Sequence, residues 1–470
     1  MHQKDLLMHH IQTVRIEHDA LTALFTLACL RLTYLIALRL VLGAERHAVW
    51  QTRRRIKRTW PRTARRLGLT VEETIRPWLA SPGAPTSHRV LIPGIRAKRE
   101  AWGVRIELRT IEGVGLAEIE KAADHLADAW RVPIVRVEQH KPGTVAIRAL
   151  LWDPLTTTIE IAAIIGDHQH ESTDLAVSSW LVGTDQDGAS ATIRTSDVSG
   201  IVVAGLAGYG KTNLLDNRFA ALAPSDRVQF AVIDGKGGPD WDSHAPRCFA
   251  FAKDDPQRAH EILSHLHNLL TARQHLIRDR LGVKNLWETG PSRSWPLVVL
   301  IVDEAHTFFY ETKGTDAEAK QRDRIARESA RIIEELVRKG RNVGIQVVLA
   351  TQKATGDAIP TKIRDNCQVA ISFAQRTSEA AVAILGTDIT QHPDAHPRRL
   401  QNPDYVGVAT LVADGRPGYT LVRTPKAAPD QDIQRLARQT AQLTADPITL
   451  LGGTEPVENN VLIIRDRKAA

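Results

Sequence analysis

Cysteine is scarce in this 470-residue chain: three occur, Cys29, Cys248 and Cys367, with no CxxC pair and an odd count. That excludes a disulfide framework and points to a reducing compartment. No solenoid-type repeat is present, and no cleavable signal peptide is evident, since the first twenty residues are polar with scattered His and acid. Hydrophobic residues at 43% and charged residues at 24% exclude both wholesale disorder and a polytopic membrane protein, and the length suits two or three domains. Between Arg46 and Arg66 acid is missing altogether, while nine basic residues stand there: Arg46, Arg53, Arg54, Arg55, Lys57, Arg58, Arg62, Arg65 and Arg66. With a net charge of +7, the rest of the chain is left slightly acidic, so the pI near 9.3 reports one segment. A nucleic-acid or anionic-lipid partner has to be argued locally.

Just before that block, residues 20–43 are apolar over a length that crosses about 30 Å of hydrocarbon as a helix. Arg31 lies near the middle. Twelve Leu, Ile, Phe or Val side chains contribute roughly −4 to −7 kcal/mol against about +3 for a central arginine, so insertion is marginally favourable. A span, an interfacial anchor and a buried helix all remain open. If the stretch spans, the basic block is cytoplasmic by the positive-inside rule, and its charge fits lipid-headgroup contact at least as well as a grip on DNA.

Residues 102–152 read as a compact β-α-β-β unit. Val104, Ile106 and Leu108 alternate as a strand, and Leu116, Ile119, Ala123, Leu126 and Trp130 recur at helical spacing. Ile134–Val137 and Val145–Leu150 complete it, with turn signals at Gly113 and Pro142-Gly143. His168 and His170, two imidazoles two apart with no further ligand pattern, read as a polar loop rather than a metal site.

From Gly200 the pattern changes. Ile201–Ala204, Val228–Ile233, Leu297–Val302, Ile345–Ala350 and Val369–Phe373 are short runs apolar on both faces, as buried parallel strands are. Helical segments at 257–281 and 318–340 separate them, which predicts an α/β domain with a mostly parallel sheet.

The first of these strands runs into Gly205-Leu-Ala-Gly-Tyr-Gly-Lys211-Thr212, a full GxxxxGK[ST] match opening a helix. Such glycines let backbone amides face phosphate oxygens, the lysine reaches the terminal phosphates and the threonine ligates magnesium. The third strand delivers Asp303-Glu304-Ala305-His306 at its C-terminal end, where ligands bind in open α/β sheets. Asp303 suits a magnesium contact and Glu304 suits polarising water. The DEAH spelling suggests a two-lobed helicase only weakly, because the chain has one P-loop. Gln352 closes the next strand, where a polar group can sense a γ-phosphate.

These blocks, with Val232-Ile-Asp234-Gly-Lys236, the helix Arg273 to Leu286, Arg338-Lys-Gly-Arg341-Asn-Val-Gly344 and Ala350-Thr-Gln352-Lys, resemble the successive motifs of the FtsK/SpoIIIE DNA translocases. The outline of anchor, basic linker, small α+β domain and single motor is most similar to the transfer (Tra) proteins of actinobacterial conjugative plasmids and integrative elements. The resemblance implies a RecA-like P-loop NTPase motor over 176–430, preceded by a small α+β domain over 67–175 and an N-terminal helix plus basic linker over 1–66. A tail over 431–470 would follow. It implies ATP held by Gly205, Leu206, Ala207, Gly208, Tyr209, Gly210, Lys211, Thr212 and Asn213, Mg2+ at Thr212 and Asp303, and catalysis by Glu304 and Lys211 with Gln352 as sensor. Arg341 is its candidate for reaching a neighbouring subunit, although Arg341 and Arg338 can equally pair with Glu334 or Glu335. Asp234 and Lys236 are expected to be structural or subunit-facing.

By the same resemblance the partners are double-stranded DNA and further copies in a hexameric ring, with membrane lipid met through the N-terminus and the motor on the cytoplasmic face. Lys362 and Arg364 are candidate phosphate contacts. A type VII secretion-like ATPase moving protein, a cell-division DNA pump and a scaffold with a degenerate site are the competing readings. Tyr209 departs from the small residue usual in cell-division members, and Lys353 from an arginine. The segment after Arg423, with one amphipathic helix at 430–443, is too short for a winged-helix DNA reader.

Overall fold

The computed structural model describes residues 43–75, 87–159, 177–311, 314–354 and 358–452, with Thr26 and Thr33 as isolated positions. The rest of the apolar stretch up to Gly43, and the His168/His170 segment, lie outside the described residues. Among the described residues no helix is long and apolar enough to cross a membrane. The chain divides into two compact units, Met1–Asp153 and Pro154–Ala470.

In the first unit the basic segment is a helix, not a linker. This helix, α1 (43–66), places Ile56, Trp60 and Ala64 on one stripe at fourfold spacing, and all three are buried. They pack into a core with Val104, Ile106, Leu126 and Trp130, the Trp60 and Trp130 rings lying 6.3 Å apart. Two arginines at the edges of the stripe tie α1 down: Arg53 Nε donates to the Ala97 carbonyl and Arg55 Nη1 to that of Trp130, each at 2.8 Å. After the hairpin β1 (Val71–Ile75) and β2 (Ser87–Leu91) come β3 (Ile95–Glu100), β4 (Gly103–Arg109), helices α2 (Leu116–Lys121) and α3 (Ala123–Trp130), β5 (Ile134–Lys141) and β6 (Thr144–Leu150). The sheet order is β3-β4-β6-β5. The expected β-α-β-β core is present, gaining β3 at its edge, and its helix is broken at Ala122.

The second unit holds β7 (Ser179–Asp185), β8 (Ser190–Arg194), β9 (Gly200–Ala204), α4 (Lys211–Leu222), β10 (Val228–Asp234), β11 (Cys248–Lys253), α5 (Pro256–Leu281), β12 (Leu297–Asp303), α6 (His306–Phe309) and α7 (Ala317–Lys339). There follow β13 (Ile345–Thr351), α8 (Thr361–Arg364), β14 (Val369–Ser372), α9 (Ser378–Leu385), β15 (Val408–Ala413), β16 (Arg416–Arg423), α10 (Asp430–Gln439) and α11 (Pro447–Leu451). One ten-stranded sheet runs β11-β10-β12-β13-β9-β14-β15-β16-β7-β8. Its first six strands are parallel and the last four add antiparallel. The strands read as unbroken apolar runs because both faces are covered: Val298, Leu300 and Val302 enter one core beside α5 and α7, and Leu297, Val299 and Ile301 the other beside α4. Helix ends follow from capping, as where Asp255 accepts from the Arg258 amide ahead of Pro256 and Gly282, at φ 70°, ends α5.

Arg273, inside the FtsK-like helix block, is a buried staple. Its Nη1 donates to the Val343 and Gly344 carbonyls at 2.8 and 3.2 Å, its Nη2 to that of Pro296 at 2.8 Å, and its guanidinium lies 5.2 Å from the Trp295 ring centroid. Burial pulls its pKa down to about 9. Arg273→Leu strands these carbonyls and is expected to lower unfolding stability by about 3 kcal/mol; a urea-melt change under about 1 kcal/mol would contradict the staple.

Candidate functional site

The site lies at the C-terminal ends of the central parallel strands. After β9 the chain turns through Gly205 at φ 151°, where a Cβ would fall 2.6 Å from Phe373 Cβ, so only glycine fits. Gly210, at φ 110°, leads into α4. Lys211 Nζ donates to the Gly205 and Leu206 carbonyls at 2.7 and 3.1 Å. Burial, helped by nearby Lys236 and opposed by Glu304 and Asp303, lowers its pKa to about 8. Tyr209 ties the loop to a distant segment: its hydroxyl donates to the Gln401 carbonyl at 3.0 Å and its own carbonyl accepts from the Gly407 amide at 3.1 Å.

Asp234 and Asp303 close the paired strands β10 and β12 side by side. Asp303 is 1% exposed and fully engaged: Oδ1 accepts from the Glu304 amide, and Oδ2 from Trp241 Nε1 at 3.0 Å and Lys236 Nζ at 3.3 Å. Glu304 takes φ 54°, a left-handed conformation that costs an L-residue about 1–3 kcal/mol. The turn sits over Gly235, where a Cβ would meet the Glu304 carbonyl at 2.9 Å. Glu304 Oε1 accepts from His306 Nδ1 at 2.8 Å, the Gln352 amide at 3.1 Å and Thr351 Oγ1 at 3.3 Å, whereas Oε2 is buried without a hydrogen-bond partner among the described residues.

Two cavities meet here. One of about 780 Å³ is lined by Ala207, Gly208 and Gly210–Asn213 of the P-loop, by Lys236 and Gln352, and by Pro403, Val406 and Arg423–Lys426. The other, about 860 Å³, is lined by Leu206, Tyr209, Glu304, His306, Lys353 and Arg376, and shares Ala207, Lys236 and Gln352 with the first. The P-loop residues, Glu304 and Gln352 are therefore brought together, and Asp303 reaches the site through its contact with Lys236. Lys236 also lines both cavities, paired with Asp303 and Asp240, just past the carboxyl end of a parallel strand. His306, Arg376 and Arg423 were not singled out from the sequence. Arg341 is placed elsewhere: it precedes β13, whose seven residues carry the chain roughly 20 Å before Thr351 meets Glu304. It approaches Asp197 Oδ1 at 3.9 Å rather than Glu334 or Glu335, and Glu335 is engaged by Arg331, Lys339 and His267. Lys362 and Arg364 lie on α8, Lys362 exposed and Arg364 Nε 3.7 Å from Asp365 Oδ1.

Two ammonium groups facing a glycine loop suit a polyphosphate. Among the described residues no group of three or more His, Cys, Asp and Glu could hold a metal. Oxygen donors near the loop include the Thr212 hydroxyl and Asp240, which line the P-loop cavity, and Asp303 behind Lys236, hard ligands that fit a Mg2+ held mostly by water and substrate phosphates.

Residues 46–151 match the N-terminal domain of actinomycete conjugal transfer proteins, and residues 167–293 match the FtsK/SpoIIIE family. The chain is 26% identical over 296 residues to the DNA translocase FtsK of Leptospira interrogans, covering 59% of this chain and 29% of that one. It thus spans under a third of that relative's length. A sporulation regulatory protein of Streptomyces azureus is 28% identical over 239 residues, 50% of this chain and 75% of that one. In fold the chain is similar, at 16% identity and a TM-score of 0.50, to the pCW3 conjugation coupling protein TcpA in a monomer form with ATPγS, over 73% of this chain and 93% of that chain. Over its P-loop segment the chain is thus similar to the FtsK/SpoIIIE family, and ahead of that segment to the N-terminal domain of actinomycete conjugal transfer proteins.

Proposed function

We propose that the chain is an ATP-dependent double-stranded DNA translocase acting in conjugative transfer, its P-loop units assembling as a hexameric ring held at the inner face of the membrane through residues 20–43. The observation that carries the reading is Glu304, whose Oε2 is buried and has no hydrogen-bond partner among the described residues, beside a cavity that shares Ala207 and Lys236 with the P-loop cavity. The 205–213 loop binds ATP phosphates, Lys211 exchanging its carbonyl partners for phosphate oxygens. Thr212 would hold Mg2+ directly and Asp303 through water in its outer sphere, and the ion would supply charge neutralisation at the phosphates when bound. Glu304 orients the attacking water through Oε2, and Gln352, hydrogen-bonded to Oε1 through its amide, senses the γ-phosphate. Arg341, at the opposite end of the strands, reaches a neighbouring subunit's site rather than its own. Lys362 and Arg364 contact the DNA backbone in the pore.

ATPase activity is expected to rise severalfold with duplex DNA and to lose that stimulation at high salt, as phosphate contacts require. An enzyme indifferent to DNA, or activated only by a peptide, would sink the reading.

A further inference from the structure

The acid-free block forms one face of a folded helix. With Ile56, Trp60 and Ala64 buried in the core of the first unit, the opposite side of α1 presents Arg54, Lys57, Arg58, Arg62 and Arg65, all exposed. At 100° per residue these five fall within an arc of about 140°, and Arg54 to Arg65 covers about 16 Å along the helix. Among the described residues none of the five is in an ion pair. Arg54 is held over the Trp50 ring at 5.4 Å, a stacked and partly pre-ordered guanidinium. The neighbouring Arg53 and Arg55 are spent on backbone carbonyls, so the array is selected by face and not by a general excess of arginine.

We infer that this face of α1 is a duplex-DNA contact in its own right, binding the phosphate backbone without nucleotide and without sequence preference. Charge complementarity admits two polyanions, DNA and an anionic bilayer, and the structure favours DNA. A helix that lies in a membrane interface puts large apolar side chains into the acyl boundary. The apolar side of α1 is buried within its own unit, and the exposed side carries only Pro61 and the half-buried Trp50, which lies under Arg54, among the cations. Four of the five are arginines, whose planar fork grips phosphate bidentately. The site shares its ligand with the proposed translocase but needs neither ATP nor the P-loop unit.

The test uses the full chain without nucleotide. Affinity for a random-sequence duplex is measured against salt for the parent and for a variant with Arg54, Arg58, Arg62 and Arg65 all changed to Gln. The Gln variant is expected to flatten the log–log salt slope by about 3 and to bind about 100-fold more weakly at low salt. The all-Lys counterpart should retain most of the slope, which separates charge from helix disruption, and both should match the parent's unfolding midpoint. Binding to phosphatidylserine vesicles should be unchanged. An unaltered DNA slope in the Gln variant, or an equal loss on vesicles, overturns the inference. Absent DNA stimulation of the ATPase would count against the translocase while leaving this result standing.

Discussion

Glu304→Gln is expected to lower the ATP hydrolysis rate about 10³-fold while leaving ATP bound, the scale set by removing a positioned general base. The side chain is over-determined. Three donors converge on Oε1 from His306, Thr351 and Gln352, the backbone is held at φ 54°, and Gly235 leaves room beneath the turn. This fixes Oε2 in a buried position with no competing donor among the described residues. An amide fills the same space and keeps most of the packing, so folding and nucleotide affinity should survive. It cannot take a proton from water, and its NH2 group would face the water or collide with the three donors. Nucleotide binding and single-turnover hydrolysis measured on the same preparation separate the two effects. Turnover within tenfold of the parent would refute the role, and lost binding would show that the substitution had disturbed the loop instead.

What could be read in advance divides along physical lines. The P-loop and the Asp303-Glu304 pair are each a short local motif at the end of a doubly buried strand, so motif and apolar run point to the same place. The contact of Lys236 with Asp303 was not legible in advance because it depends on β10 pairing with β12, which no local pattern states. The Tyr209 tether to Gln401 joins residues 192 apart. The antiparallel half of the sheet was missed for a related reason: β7 and β8 precede the P-loop yet complete the sheet beyond β16, and their burial is mixed rather than continuous. In α1 a dense charge run concealed three apolar residues at fourfold spacing. Counting charge finds a linker there, whereas following Ile56, Trp60 and Ala64 finds a helix.

Lys211→Ala is expected to abolish ATP turnover, a loss of about 10³-fold or more given the charge stabilisation such a group supplies to a phosphoryl transition state. It should also erase a pH dependence that the nucleotide-free site builds in. Burial holds the Lys211 pKa at about 8 against an ordinary 10.5, its ammonium resting on two carbonyls. Between those values the folded protein binds fewer protons than the unfolded chain, so this group makes the nucleotide-free fold more stable as pH rises from 8 to 10.5. Phosphate oxygens favour the charged form, so ATP binding above pH 8 must draw a proton back onto Lys211. Affinity should therefore fall with rising pH by up to about tenfold per unit. Calorimetry at pH 9 in two buffers of different ionisation enthalpy should show close to one proton taken up by the parent. The Ala variant should take up fewer protons and bind with little pH dependence. Proton uptake that persists unchanged in Lys211→Ala would assign the titration to another group, with Lys236, the second ammonium lining both cavities, the nearest alternative.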